Sequence, residues 1–169
     1  MHNNISGALH QCGHYFKGAD IQKVLQLLHK YPDLKSCIIE DLCLVRTAIV
    51  CGASLAHIEV LLKAGVNPNV VDSCGSIPLI EAAAVGDLQL AVLLMQHGAN
   101  VNHVTKNEES ALSFACANDQ FQCAEMLIHS GADLNRKFGN PPYTVLDLSQ
   151  KYASQKTIEL LLRFGARKA

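Results

Sequence analysis

The sequence predicts an all-α fold, a solenoid of stacked helix-turn-helix units with hairpin-like connecting loops, on three observations. The first is a recurring phrase: "VLLMQHGANVNHV" around Gly98 is echoed by "EVLLKAGVNPNVV" around Gly65, "EMLIHSGADLNRK" around Gly131 and "ELLLRFGARKA" around Gly165. "QLLHKYPDL" is a fainter copy with Pro32 in the glycine's place. These landmarks are separated by 33, 33, 33 and 34 residues, a fixed period that arises when one structural unit is stacked on itself. Secondly, each period carries two short apolar patterns at helical spacing followed by a polar, turn-rich stretch. Thirdly, 49% hydrophobic and 17% charged residues describe a folded chain rather than a disordered one. The 169 residues fit one domain, residues 1–169, with repeats near 5–37, 38–70, 71–103, 104–136 and 137–169.

The elements follow in order. Repeat one, "ALHQCGHYFKGADIQKVLQLLHKYP", holds two helical stretches and needs about three residues more than its neighbours between Leu9 and Ile21. Repeat two, "LVRTAIVCGASLAHIEVLLKAG", aligns Gly52 with Gly86 of repeat three and needs one extra residue between its helices. Repeat three is the clearest. Asp72, Gly75 and Pro78 mark a turn, "PLIEAAAVG" gives an alanine-rich first helix ended by Gly86, and "DLQLAVLLMQHG" gives a second helix. In that second helix Leu88, Ala91, Val92 and Met95 share a face, and Gly98 supplies the positive φ that a helix stop often needs. "ANVNHVTKNEES" is polar and suits a hairpin-like connection. Repeat four puts Leu112, Ala115 and Cys116 where repeat three has Leu79, Ala82 and Ala83, and repeat five keeps Thr144, Leu146 and the run Leu160–Leu162. Terminal repeats are expected to be irregular because each must cap a core.

"GSIPLIEAAAVGDLQLAVLLMQHGANVN" resembles the ankyrin repeat, whose signature joins a G-x-T-P-L-H-x-A-A run, a G-H/D-L start to the second helix and L-L-x-x-G-A-x-x-N. The resemblance extends from about Leu9 to Ala166. The T-P-L-H tetrapeptide is complete nowhere: Ile77 replaces its threonine and Ile80 its histidine, Ser110-Ala111-Leu112-Ser113 keeps only the leucine, and His10 alone matches the histidine. These departures touch the tight turns of repeats one and two more than the fold.

The resemblance implies a long surface on which the concave side, built from hairpin tips and the exposed faces of first helices, binds a protein. In repeat three it nominates Ser73, Cys74, Ser76, Ala84 and Val85; in repeat four, Lys106, Asn107, Glu109, Ala117 and Asn118; in repeat five, Arg136, Lys137, Phe138, Tyr143, Lys151 and Tyr152. Repeat five stands out because aromatic and arginine side chains anchor many interfaces, and three of the chain's nine Phe and Tyr, Phe138, Tyr143 and Tyr152, fall near its expected concave side. The alternative is that Phe138 and Tyr143 fold over the end of the core around "GNPPY", the lysines keeping the cap soluble. Charge is uneven as well. Residues 1–135 hold 7 Lys/Arg and 13 Asp/Glu, or −6, whereas residues 136–169 hold 7 and 2, or +5.

Chemistry finds little foothold. Seven cysteines with no C-x-x-C pair read as reduced, mostly buried thiols, and none is singled out as a nucleophile. His10, Cys12 and His14 put two histidines on one helix face, but a zinc helix would need Glu where Gln11 stands, and a structural His10 in the repeat turn is the preferred reading. His97 and His129 are expected to make hydrogen bonds at helix C-termini. Phosphate-cradling, dinucleotide and serine-hydrolase motifs are absent, so neither an enzyme, a cofactor, a metal nor a small-molecule substrate is expected. The acidic body opposes a nucleic-acid partner, leaving acidic protein segments as partners for the basic end. No membrane helix or signal peptide is legible, so an intracellular monomer is expected.

Function therefore reads as non-enzymatic protein binding, by an adaptor or scaffold. One alternative is a stoichiometric inhibitor of a partner enzyme such as a kinase, since length and repeat count resemble the small ankyrin-repeat inhibitors of cyclin-dependent kinases. Another is a bacterial effector that mimics a host ankyrin protein.

Overall fold

A computed structural model describes residues 2–38 and 43–169, with side chains from Ile5 onward. Residues 39–42, at the head of repeat two, lie outside the described residues. Among the described residues the regular elements are helical and pair off by repeat. They are α1 His2–Lys17 with α2 Ile21–Lys30, α3 Leu44–Val50 with α4 Leu55–Lys63, α5 Pro78–Val85 with α6 Leu88–Gln96, α7 Ala111–Ala117 with α8 Phe121–His129, and α9 Val145–Tyr152 with α10 Gln155–Arg163. The expected all-α repeat architecture is the one observed. The chain divides into two compact units, Met1–Ser73 and Cys74–Ala169.

In the first unit α1 packs on α2 and α3, and α3 on α4. Ala8, Leu9, Cys12 and Phe16 recur at helical spacing along α1 and are buried. The extra residues of repeat one are absorbed by this long helix and by the turn at Gly18 and Ala19. His10 is therefore not in a turn, as expected, but in mid-helix and exposed, with Nδ1 3.2 Å from the Ser6 carbonyl. Pro32 explains the faintness of its own copy. Proline cannot take the positive φ of the other landmarks, and the chain instead leaves α2 through a 3-10 helix, Pro32–Lys35, whose Leu34 is fully buried. Arg46 pairs with Asp72 at 2.8 Å, both side chains largely covered.

The second unit has two helical rows. First helices α5, α7 and α9 stack in one, second helices α6, α8 and α10 in the other. Buried Leu79, Leu112 and Leu146 repeat along the first row and Leu94, Leu127 and Leu161 along the second. Each contributes about 1.5–3 kcal/mol relative to an exposed side chain. Small residues Ala82, Ala115 and Ser149 recur where first helices meet, which lets the helices approach closely.

The recurrent phrase turns out to be a joint between repeats. Gly98 ends its helix at φ 88°, with Gly131 and Gly165 alike. Two residues on, Asn100 Oδ1 accepts from Asn102 N at 3.0 Å, an Asx turn that Asp133 repeats with Asn135 N at 2.9 Å. Asn102, so oriented, donates Nδ2 to the Gly131 carbonyl at 3.0 Å and accepts from Asp133 N at 2.8 Å. Asn135 does the same one repeat later, to Gly165 O at 3.4 Å and from Arg167 N at 2.8 Å. Glycine, Asx residue and asparagine thus recur together because repeat three is fastened to repeat four, and repeat four to repeat five, through all three.

Where T-P-L-H is lost, the helix starts are rebuilt in two ways. Ser110 with Ser113, and Thr144 with Asp147, form reciprocal capping boxes on α7 and α9. Ile77 caps α5 without a side-chain hydrogen bond, but its own side chain is fully buried.

Candidate functional site

The hairpins are built from the sequence as expected. In repeat four, Thr105 N donates to Glu109 O at 2.9 Å, and Val104 pairs with Ser110, which is also the N-cap of α7. In repeat five, Phe138 and Tyr143 exchange backbone bonds of 3.0 and 2.9 Å, and the chain enters α9 through Thr144. Each hairpin therefore feeds directly into a first helix. Lys106 N donates to Cys74 O at 3.0 Å, and His103 Nε2, 2.7 Å from the Gly75 carbonyl, must carry its proton there. These bonds tie the tip of repeat four to the turn of repeat three.

On this face of the second unit the nominated side chains fall into three groups. Cys74, Lys106, Asn107, Asn118, Lys137, Lys151 and Tyr152 are exposed; Ser76, Glu109, Arg136, Tyr143, Ala84 and Ala117 are half-buried. Val85 is 74% exposed and Tyr152 53%, at the C-terminal ends of α5 and α9, with Asn118 in the corresponding place after α7. Ser73 is exposed at the end of the first unit. Phe138 is the exception. It is 2% exposed, its ring 4.4 Å from that of Tyr143 in an edge-on contact, so it belongs to the core and offers no surface to a partner. The cause lies in Gly139, at φ 80°, where any Cβ would run into the Tyr143 ring. Tyr143 folds across the glycine and closes the hairpin over Phe138.

Tyr143 also joins two hollows. One, of about 530 Å3, is lined by Lys106, Asn107, Glu108, Glu109, Gly139, Asn140 and Tyr143. The other, of about 330 Å3, is lined by Tyr143, Asp147, Leu148, Lys151 and Tyr152. Asp147, Leu148, Glu108 and Asn140 were not nominated from sequence. A signal for Leu148 was available: Leu148 and Tyr152 lie four apart on α9, off the face that buries Val145, Leu146 and Ser149.

The electrostatics of the second hollow are set locally. Asp147 Oδ2 accepts from Thr144 N and Ala169 N, both at 3.0 Å, and these N–H groups hold its carboxyl below the usual carboxylate range. The Lys151 ammonium lies 4.9 Å from the Tyr152 ring centre, and the phenol beside it pushes the lysine pKa up.

Elsewhere the chemistry-bearing residues are occupied in packing. Burial pushes the Cys12 thiol up to about 12 and Cys116 up to about 11, with Cys37, Cys43 and Cys123 also raised, the direction opposite to nucleophilic activation. Among the described residues no three His, Cys, Asp or Glu lie together as metal ligands would, and no helix is long and apolar enough to cross a membrane. His10 and His14 are exposed on α1 while Cys12 faces the core. His129 sets its ring edge-on to Phe164 at 5.0 Å, a ring contact where a hydrogen bond was expected.

A family model described as ankyrin repeats, in three copies, matches residues 45–138, more than half of the chain. The potassium channel AKT2/3 of Arabidopsis thaliana is 37% identical over 65 residues, a stretch that makes up 38% of this chain and 8% of the channel. The chain thus matches only a small part of that relative's length. With paired helices at a period of 33 residues, glycine-stopped second helices and asparagine joints at the family's own positions, the chain belongs to the ankyrin-repeat family.

Proposed function

We propose that this chain is a non-enzymatic binding module, an adaptor or scaffold that takes a partner protein on the hairpin-and-first-helix face of repeats three to five. Ankyrin repeats generally mediate protein–protein interaction and are typically non-enzymatic. The observation that carries the reading here is the exposure of Val85 at 74% and Tyr152 at 53% at the ends of first helices that each bury one face in the core. Neither side chain stabilises the fold by burial, and the two stand with Asn118 in corresponding places along the row of first helices, so that a partner lying along that row would meet all three. Raised thiol pKa values support a passive role.

The test is a comparison of two folded variants in affinity capture from a eukaryotic lysate. Val85→Glu combined with Tyr152→Ala changes the proposed face; Gln89→Glu combined with Gln122→Glu changes exposed positions on the second helices. A partner lost by the first variant and kept by the second supports the reading. The reverse pattern would place binding on the second-helix face. Inhibition of a partner enzyme such as a kinase is the second reading, and a captured enzyme whose activity falls on titration with this chain would favour it.

A further inference from the structure

We infer that the hollow between Tyr143 and Tyr152 is a subsite for an extended acidic segment of the partner, taking an apolar side chain on Leu148 and an adjoining carboxylate on Lys151. The inference rests on the reading that this face binds a protein, and adds the chemistry of what is bound. Three observations carry it. The hollow is lined by two phenol rings and a leucine, which together offer an apolar side chain flat contacts at little entropic cost, since tyrosine has few rotatable bonds. Its acidic member, Asp147, already accepts from the backbone N–H groups of Thr144 and Ala169, so its charge is met from within the protein. Its basic member, Lys151, is an exposed residue whose ammonium lies against the Tyr152 ring, 4.9 Å from its centre, within reach of an incoming anion. The segment that holds the hollow, residues 136–169, carries 7 Lys/Arg against 2 Asp/Glu, a balance that draws an anionic segment toward this repeat.

The neighbouring hollow makes the assignment directional. Lys106 there is accompanied by Glu108 and Glu109, so an acidic segment is favoured at the Lys151 end and repelled at the hairpin tip of repeat four. The partner chain would therefore place its carboxylates toward the C-terminus of α9.

The experiment is a backbone-amide NMR titration of the full chain with three capped probe peptides, Glu-Glu-Leu-Glu-Glu, Gln-Gln-Leu-Gln-Gln and Glu-Glu-Ser-Glu-Glu. The expected result is a set of shifts centred on residues 143–152 with the first peptide, weakening with added salt. Lys151→Ala should reduce affinity about tenfold, a loss of about 1.4 kcal/mol, while Lys151→Arg retains it; the position is exposed, so both variants keep the fold. Equal binding of the glutamine peptide would overturn the carboxylate assignment, and equal binding of the serine peptide would overturn the apolar one. Shifts elsewhere, or none at about 5 mM peptide, would remove the subsite. Failure of the broader reading is separable from these outcomes. A partner still captured by the Lys151→Ala variant and lost by Val85→Glu leaves protein binding on this face intact and removes only the acidic subsite, whereas a partner indifferent to both changes removes the face.

Discussion

Asp119 shows how one residue fastens a repeat. It occupies the place of Gly86 one period on and keeps the left-handed backbone, at φ 52°, that most side chains avoid. In return its Oδ1 accepts from Ser154 N at 3.0 Å, Ser154 Oγ at 2.9 Å and Thr157 Oγ1 at 2.7 Å, tying the α7–α8 turn to the start of α10. The Ser154 N–H, then the Thr157 hydroxyl, hold its carboxyl below the ordinary range. A depressed folded-state pKa stabilises the protein above the unfolded value of about 3.9, and that stabilisation fades as pH falls through the folded value. Asp119→Asn, which tolerates the same backbone and keeps an acceptor, should cost about 0.5–1.5 kcal/mol at pH 7. The gap from wild type should close below about pH 4, as read by urea unfolding at each pH. An unchanged gap at acid pH would assign the loss to packing. Ile77 makes a second test. Ile77→Thr restores the family's cap, a gain of about 1 kcal/mol, but loses buried apolar surface and leaves a cavity, costing about 2 kcal/mol or more. Net destabilisation in thermal unfolding is expected, and a stabilised variant would show that capping outweighs burial here.

Among the elements, the joint formed by Gly98, Asn100 and Asn102 holds repeat three to repeat four through the Gly131 carbonyl and the Asp133 N–H. Asn102→Ala should destabilise the second unit by about 1–3 kcal/mol, because two polar backbone groups lose their partners. Asn102→Asp, which keeps the acceptor and loses the donor, should fall between. Equal loss in both would mean that only the donor counts. The second helices were legible in sequence because a leucine run ended by glycine leaves one register. Helix α1 was less so: its apolar residues continue past the expected turn, and nothing local ends it before Gly18. Phe138 was legible as a choice only. Whether a ring after the last joint points into the core or out of it is decided by Tyr143 crossing Gly139, a contact between residues whose arrangement depends on the hairpin closing. Leu148 was missed because its neighbour Leu146 claimed the core position; only the helical phase separates the two.

For the molecule, the segregation of charge is the property that reaches farthest. The −6 of residues 1–135 and the +5 of residues 136–169 nearly cancel in the sum of −1, so net charge hides an uneven distribution along the chain. Association with an acidic partner should slow several-fold between about 50 and 200 mM salt while dissociation changes less, since steering acts on encounter. Stopped-flow association rates check this, and a salt-independent on-rate would mean that the basic repeat plays no part in recognition. The central claim, that the hairpin-and-first-helix face is where a partner protein sits, is tested most directly by site-specific photo-crosslinking. Crosslinkers placed singly at Val85, Asn118 and Tyr152 are expected to capture one and the same partner, and those at Gln89 and Gln122 to capture none. Capture from Gln89 and Gln122 alone would contradict the account and place recognition on the second helices.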